Sequence, residues 1–165
     1  MTRICLSFGS NIGNRELYIR DALKLIENEG IVKNAVASRI LNTKALLKKG
    51  SPKSWDMDFL NCVLIGDTDF GAHALYDELF KIERRIGGAK TSWEPRKLDI
   101  DILLYGDLCF STDKLTIPHS ELLRREFLVE LVSEIGPEIR YSGHGYFYNR
   151  NFQEIKERLY GSKNI

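Results

Sequence analysis

The amino-acid sequence predicts an α+β fold, because strand-like and helix-like segments follow one another in a defined order. Between residues 3 and 105 that order is strand, helix, strand, strand, helix, strand. It is the split pattern of a ferredoxin-like two-layer sandwich, in which helices pack on one face of an antiparallel sheet. Further strand-like and helical segments after residue 105 predict C-terminal elements that extend this sandwich.

The first helix and the first two strands are predicted from residues 3 to 41. Residues 3 to 8 are strand-like and are followed by a Gly-Ser-Asn turn. Apolar residues then recur at helical spacing from the N-cap candidate Asn14 to about residue 28. Residues 31 to about 41 are β-branched and alternate enough to predict the second strand.

Residues 42 to 58 read as a long aperiodic loop that contains four lysines. A loop of this length in a compact domain is usually functional or disordered, and the lysines are equally consistent with simple solvation. Residues 59 to 65 are apolar on both faces, as in a central strand, yet Asn61 interrupts them. A buried amide needs partners, which either a neighbouring loop or a flat heterocycle would supply.

The second half of the chain continues the pattern. Residues 67 to 69 supply N-cap candidates for a second helix, which Gly87-Gly88 ends. Residues 98 to 105 are strand-like, and residues 108 to 110 predict an additional edge strand. Two helical regions follow, one ended by Gly136-Pro137 and one short helix near the C-terminus.

Two acids share one face of the strand at residues 98 to 105. Its period-two alternation predicts one face formed by Leu98, Ile100, Ile102 and Leu104. The other face is predicted to carry Asp99, Asp101, Leu103 and Tyr105. Side chains two apart on a strand have Cβ atoms roughly 6 to 7 Å apart, so both carboxylates reach one hard cation or an adjacent pair. The alternative is an edge strand with two solvated acids.

Composition limits the classes of function and compartment. A chain of 165 residues is expected to form one domain, residues 1–165, with 142–165 either a tail or a linker to a further domain. The formal charge of +1 gives no global attraction to nucleic acid or anionic membrane. Cys5, Cys62 and Cys109 lie singly in apolar runs, which predicts buried thiols in a reducing compartment. With no membrane span or secretory signal in the sequence, we expect a cytoplasmic protein.

Several stretches together resemble the 6-hydroxymethyl-7,8-dihydropterin pyrophosphokinase family of folate biosynthesis. The resemblance covers roughly the first 140 residues, and the order and spacing of the stretches make it specific. They are Phe8-Gly9-Ser10-Asn11, Asp58-Phe59-Leu60-Asn61, Trp93 to Ile102 and Leu115 to His119 followed by Arg125 and Phe127. The resemblance implies an enzyme that transfers a pyrophosphoryl group from ATP to the hydroxymethyl oxygen of the pterin and leaves AMP, with two Mg²⁺ ions.

The resemblance also implies roles for individual residues. Asp99 and Asp101 would hold both ions, and Arg96 would be a cationic clamp on the phosphates. The pterin would be bound by Asn61, Phe59, Trp93, Phe127 and Thr43. ATP would be bound by Glu83, Lys90, Arg96, Ile102, Lys114, Thr116, His119 and Arg125. The expected partners are these two small molecules, with no nucleic acid, no membrane, and fusion to or association with another folate-pathway enzyme.

The sequence departs from the family pattern mainly in its loops. Glu94 replaces a usual Gly, Lys90 stands in a loop where relatives tend to carry arginines, and the loop after Thr43 is longer and lacks a proline pair. Two other functions fit parts of the pattern. A ferredoxin-like nucleic-acid-binding module would need strand aromatics and a basic surface. A two-metal nucleotidyltransferase would place its Gly-Ser and Asp-x-Asp signals close together in sequence, whereas here about ninety residues separate them.

Overall fold

The structure, a computed structural model, describes residues 1–88 and 94–161. Its elements in chain order are β1 (Thr2–Ser10), α1 (Arg15–Asn28), β2 (Lys33–Ala37), β3 (Leu41–Thr43), a 3-10 turn (Lys53–Trp55), β4 (Phe59–Thr68), α2 (Ala72–Gly87), β5 (Asp99–Tyr105), β6 (Phe110–Ser111), β7 (Thr116–Ile117), α3 (Glu126–Ile135) and α4 (Phe152–Tyr160). The predicted α+β fold and the order of its first six main elements are confirmed.

The main sheet has the strand order β2-β4-β1-β5, and β3 also pairs with β4. Every pairing in it is antiparallel, and β1 lies in the middle between β4 and β5. A separate two-stranded sheet joins β6 to β7. Because β1 pairs with both β4 and β5, residues that are far apart in sequence become neighbours on one face of the sheet.

Helices cover both faces of the main sheet. The α1 and α2 helices pack on the face that carries Ile4, Leu6, Phe8, Ile100 and Ile102. The C-terminal helices α3 and α4 pack on the other face, against Cys5, Val63, Ile65, Leu103 and Leu104. The extension by C-terminal elements is therefore a second helical layer, and it covers only part of the face that also carries Asp99 and Asp101.

One irregularity in β5 corrects the predicted alternation. The pairing of β1 with β5 shifts register between Cys5 and Leu6, which are opposite Leu104 and Ile102. The bulge inserts one residue, so Leu103 and Leu104 both belong to the α3/α4 side, whereas Tyr105 belongs to the α1/α2 side. The prediction that Leu104 and Tyr105 continue the regular alternation was wrong, because a strict period of two ends at a bulge.

The predicted strand from residue 31 to 41 is divided into β2 and β3. Ser38 lies at the break, where its backbone N–H donates to Val63 O at 2.8 Å and its hydroxyl accepts from Val63 N at 2.9 Å. A side chain here takes the place of a ladder carbonyl, and the strand is interrupted. The second interruption is a register shift in β2 between Lys33 and Val36, next to Asn34, whose φ is 52°.

The start of α2 also differs from the prediction. The strand β4 continues to Thr68, and the helix begins at Ala72 with Gly71 as its N-cap. The Thr68 hydroxyl donates to Ile31 O at 2.8 Å and accepts from Phe70 N at 3.2 Å. Thr68 therefore stabilises the turn before the helix. It does not cap the helix, although the sequence pattern made it an N-cap candidate.

The cysteines divide into two environments. Cys5 and Cys62 are buried, and burial raises the pKa of both thiols. Cys109 is exposed, so the prediction that all three are buried was wrong for this residue. Cys109 lies in the turn after β5. The sequence predicted an edge strand from residue 108, but the short strand β6 starts at Phe110.

None of the helices in the described ranges combines the length and apolar character that crossing a bilayer requires.

Candidate active site

Two rows of paired residues run across the neighbouring strands β4, β1 and β5. Gly9 of β1 is paired with Asn61 of β4 on one side and with Asp99 of β5 on the other. Ser7 is likewise paired with Asp101 on its β5 side. Residues directly opposite each other in an antiparallel sheet point to the same face. The sheet thus brings Asn61 and both acids onto one surface.

A cavity of about 620 Å³ lies over this surface. Its floor includes Gly9, and its walls come from β4, the β3–β4 loop, the end of the β1 strand and the start of α3. The predicted site residues that line it are Thr43, Phe59, Asn61, Arg96, Asp99, Asp101, His119, Arg125 and Phe127. A volume of this size lies within the range of pockets for small organic ligands.

A second, smaller cavity of about 230 Å³ lies at the β5 edge of the sheet. It contains four of the residues predicted to bind ATP, namely Ile102, Lys114, Thr116 and His119. Asp101 and His119 line both cavities. Because β5 is the last strand of the main sheet, a ligand at its edge can contact residues from both faces. The two cavities therefore meet at Asp101 and His119.

Each acid has a cationic or potentially cationic neighbour. Arg96 Nη1 lies 3.2 Å from Asp99 Oδ2, and the two side chains are 18% and 26% exposed. His119 Nε2 lies 3.7 Å from Asp101 Oδ1. The other ring nitrogen of His119 accepts from Glu121 N at 3.2 Å, so in the neutral ring the proton is on Nε2 and faces Asp101. The acids thus lie within a partly buried polar cluster.

The acid pair offers ligands for a hard cation. Within residues 1–88 and 94–161, no group of three or more His, Cys, Asp or Glu side chains is arranged to hold a metal ion. Asp101 supplies a carboxylate where the two cavities meet, and Asp99 supplies a second one in the larger cavity. Mg²⁺ is commonly held by one or two carboxylates, with phosphates and water completing its shell. Two acids that line a cavity also lined by Arg96 and Arg125 therefore fit Mg²⁺ bound together with phosphates.

The Asn61 amide is fixed from the β3 side. Its Nδ2 donates to Thr43 Oγ1 at 2.6 Å and to Leu41 O at 3.4 Å, and the residue is 7% exposed. Its Oδ1 lies 3.6 Å from the position that a Cβ on Gly9 would take, and Phe59 lies at 3.5 Å from the same position. The absence of a side chain at Gly9 therefore leaves room next to an oriented amide and an aromatic ring.

The base of the β3–β4 loop is closed by a polar network around Asp58. Asn42 Nδ2 donates to its carboxylate at 2.9 Å, and Lys44 Nζ donates at 3.1 Å. These bonds hold the pKa of Asp58 below its ordinary value. Arg15 of α1 donates to Asp58 O at 2.7 Å, which joins the loop to the helix. Residues 42 to 58 are therefore tied down at both ends, and their inner side lines the larger cavity.

Three of the predicted site residues need separate mention. The Glu83 side chain is buried beneath β5, where Oε1 accepts from Ile100 N at 2.6 Å. This bond fixes the backbone between the two acids. The contact of Glu83 with ATP that the resemblance implies stays a prediction. Lys90 and Trp93 lie outside the described residues.

Several cavity residues were not predicted from the sequence. They are Ser7, Asn11, Lys44, Leu46, Leu47, Trp55 and Arg124. The Gly-Ser-Asn turn after β1 is the sequence signal that points to Asn11. The loop residues gave no periodic signal, because an aperiodic segment does not reveal which of its side chains face inward.

The sequence of the chain is similar to a known protein family and to several curated proteins. Residues 5–137 match the model of the family described as 7,8-dihydro-6-hydroxymethylpterin-pyrophosphokinase (HPPK). The chain is 44% identical over 156 residues to a folate synthesis bifunctional protein of Chlamydia trachomatis, covering 92% of this chain and 34% of that protein. It is 30% identical over 161 residues to the 2-amino-4-hydroxy-6-hydroxymethyldihydropteridine pyrophosphokinase of Aquifex aeolicus, covering 94% of this chain and 91% of that protein. The chain thus spans about a third of the length of its bifunctional relatives from Chlamydia.

Solved structures share the fold at low sequence identity. A crystal structure of HPPK-DHPS in complex with substrates has a TM-score of 0.65 at 14% identity, over 95% of this chain and 43% of the other. The Plasmodium falciparum HPPK-DHPS has a TM-score of 0.59 at 12% identity, over 96% of this chain and 43% of the other. These likenesses concern the fold alone.

Proposed function

The chain belongs to the 7,8-dihydro-6-hydroxymethylpterin-pyrophosphokinase family, and we propose that it transfers a pyrophosphoryl group from ATP to 6-hydroxymethyl-7,8-dihydropterin. The products are the pterin diphosphate and AMP, and the reaction belongs to folate biosynthesis. The observation that carries the proposal is the meeting of two cavities at Asp101, with Asn61 and Asp99 in the row of residues beside it.

The pterin occupies the larger cavity in this proposal. The oriented amide of Asn61 hydrogen-bonds to the edge of the heterocycle, and Thr43 holds that amide in place. Phe59 and Phe127 supply apolar ring surface, as the family resemblance implies for Trp93 as well. A flat heterocycle that lies over Gly9 has its reactive arm directed along the row toward Asp99.

The nucleotide base and ribose occupy the smaller cavity. Ile102 supplies apolar contact there, and Lys114 and Thr116 supply polar groups. The phosphates then extend past His119 and Asp101 into the larger cavity, where Arg96 and Arg125 lie. A guanidinium fork binds two phosphate oxygens at once, so these arginines hold the transferring group in place. Glu83 acts from behind the strand, since it fixes the backbone at Ile100.

Asp99 and Asp101 would hold Mg²⁺, with two ions as the family resemblance implies. When bound, Mg²⁺ neutralises phosphate charge and orients the attacking and leaving oxygens. Arg96 pairs with Asp99 at 3.2 Å, which holds its guanidinium beside the acids, where it would bind the phosphates. The side chains thus supply binding, orientation and charge, with little demand for acid–base chemistry.

The proposal extends to the domain boundary of the protein, its association with another enzyme and its cellular location. Phe152 and Ile155 of α4 are buried in the α3/α4 core, which supports the proposal that α4 belongs to the same domain as the site. Relatives named as bifunctional folate synthesis proteins support the proposal that this domain works fused to, or beside, another folate enzyme. Two buried free thiols support a cytoplasmic location.

The experiment is a product analysis. The chain is incubated with ATP, Mg²⁺ and 6-hydroxymethyl-7,8-dihydropterin, and the nucleotides are separated by chromatography. We expect AMP to form only when the pterin and Mg²⁺ are both present. Formation of ADP would indicate transfer of a single phosphoryl group, and nucleotide turnover that ignores the pterin would indicate a different acceptor.

A further inference from the structure

We propose that Asn11 is a positioning residue that orders Arg96 and the backbone leading to Asp99. Asn11 lies in the turn after β1, and Arg96 lies three residues before the first acid. The Asn11 backbone N–H donates to Arg96 O at 3.1 Å, and Arg96 N donates to Asn11 Oδ1 at 2.8 Å. The turn therefore holds both backbone polar groups of Arg96, although the two residues are far apart in sequence.

The Asn11 side chain also joins a third segment. Its Nδ2 donates to Met57 O at 3.4 Å, near the end of the β3–β4 loop, and the residue is 3% exposed. An amide is needed for this arrangement, because Oδ1 serves as acceptor for one segment while Nδ2 serves as donor for another. Aspartate lacks the donor, and serine is one atom too short to reach both partners. Asn11 thus links the phosphate side of the cavity to the loop that lines its pterin side.

A second contact holds the same pair of segments together. Lys97 Nζ lies 5.9 Å from the centre of the Tyr18 ring of α1. The backbone of residue 96 is therefore held by Asn11 and the next side chain rests on the helix that follows the turn. Fixing a backbone in advance lowers the entropy that substrate binding must remove, and small displacements of a catalytic cation cost a large part of the rate.

The Arg96 side chain shows the result of this ordering. It is only 18% exposed, and its Nη1 contacts Asp99 at 3.2 Å. These hydrogen bonds of Asn11 go to Arg96 and Met57 and not to Asp99 or Asp101. Asn11 therefore affects the acids through its hold on Arg96. The inference rests on the proposed function for its kinetic consequences, but the ordering of the Arg96 backbone can be measured without any turnover.

The first test is amide hydrogen exchange of the Arg96 N–H in the wild-type chain and in Asn11→Ala. We expect protection of this amide to fall at least about tenfold in the variant, since its acceptor is removed. Asn14→Ala is the matched control, because Asn14 lies in the same turn and caps α1 by accepting from Leu17 N at 3.2 Å. That control should lower stability and leave the Arg96 amide protected. Unchanged protection in Asn11→Ala would overturn the proposal whatever the chain catalyses.

The second test is a double-mutant cycle on kcat/KM with Asn11→Ala and Arg96→Ala. Asn11→Ala alone is expected to lower kcat/KM by about tenfold to a hundredfold. In the Arg96→Ala background the same change is expected to cost less than about threefold, because residues that act as one unit are not additive. Fully additive losses would show that Asn11 supports only the fold and would contradict the proposal. A wild-type chain with no AMP formation would contradict the proposed function instead, and the exchange measurement would still decide the role of Asn11.

Discussion

Asn61 and Asp99 lie in one row across three strands, because both are paired with Gly9 of the central strand β1. The residue proposed to bind the pterin edge and the first proposed metal ligand are thus separated by a residue that has no side chain. The width of one strand on either side sets their spacing. The rigid sheet, and not a loop, determines how far the bound heterocycle lies from the acids.

Gly9→Ala tests the need for open space at this position. The added Cβ would lie 3.5 Å from Phe59 and 3.6 Å from Asn61, which are ordinary contact distances, so the fold should tolerate it. Alanine in place of a strand glycine should even add about 0.5 to 1 kcal/mol of stability. The methyl group occupies the cavity floor, so calorimetry should show pterin binding weakened at least about tenfold, with ATP binding unchanged.

Gly66→Ala is the matched control on the neighbouring strand. Its added Cβ would collide with Val32 and lie 2.9 Å from Lys33 O, far from the cavity lining. It should lower the free energy of unfolding by roughly 1 to 3 kcal/mol and leave pterin affinity unchanged. Equal pterin affinity in the wild-type chain and Gly9→Ala would contradict the proposal that the pterin lies over Gly9.

Asn61→Ala tests the proposed recognition of the heterocycle. Removing the amide leaves the polar edge of the pterin unpaired, which should weaken pterin binding by about 1 to 3 kcal/mol. Thr43→Val should act in the same direction but less strongly, since it removes the acceptor that orients Asn61 Nδ2. Calorimetry with ATP should show little change in either variant. Loss of ATP affinity with intact pterin affinity would mean that ATP, and not the pterin, binds in the larger cavity.

Arg96→Ala compared with Arg124→Ala tests which cation stabilises the transferring group. Arg96 is 18% exposed and held in place, whereas Arg124 is 77% exposed at the rim and pairs loosely with Glu121 at 3.8 Å. Arg96→Ala should lower kcat by roughly 10² to 10³, as for removal of a preorganised donor. Arg124→Ala should cost less than about threefold, because exposed charges are screened.

Arg96→Lys separates charge from geometry in the same assay. It keeps a positive charge but loses the planar fork, so it should recover only part of the rate. Full activity in Arg96→Lys would mean that a point charge is sufficient, and a larger loss in Arg124→Ala than in Arg96→Ala would reverse the assignment.

Thiol labelling tests whether Cys5 and Cys62 are buried, which is the observation that supports the proposed cytoplasmic location. Burial raises the pKa of Cys5 and Cys62, so thiolate is scarce at both positions at neutral pH, and reagent access is also blocked. Only Cys109 is exposed. A thiol reagent should modify one cysteine in the native chain and all three after denaturation, and Cys109→Ser should abolish the native reaction. Fast labelling of Cys5 would contradict the packing of α3 and α4 on the sheet.

Much of the site could be predicted from the sequence because it lies on regular strands. The period of two placed Asp99 and Asp101 on one face, and an amide in an apolar strand identified Asn61 as a residue that needs partners. The alternation failed at Leu104 and Tyr105, because a bulge depends on how two strands pair and one strand does not reveal its partner.

The parts that could not be predicted depend on contacts between distant segments. The bonds between Asn11 and Arg96 join the turn after β1 to the approach to β5, and nothing local in either segment specifies the other. The inward side of residues 42 to 58 depends on the closure at Asp58 by Asn42 and Lys44. The helical pattern does not reveal that Glu83 is buried beneath β5, because its partner, the amide of Ile100, lies on a distant strand.

The most direct test of the account is to follow the β-phosphate of ATP. The chain is incubated with the hydroxymethyl pterin, Mg²⁺ and ATP that carries a radioactive β-phosphate, and the pterin is then isolated. We predict that the label appears in the pterin for the wild-type chain and that Asp99→Asn and Asp101→Asn, checked for an intact fold by circular dichroism, transfer essentially none. Label that remains in the nucleotide as ADP, or near-normal transfer by either variant, would contradict pyrophosphoryl transfer at the paired acids.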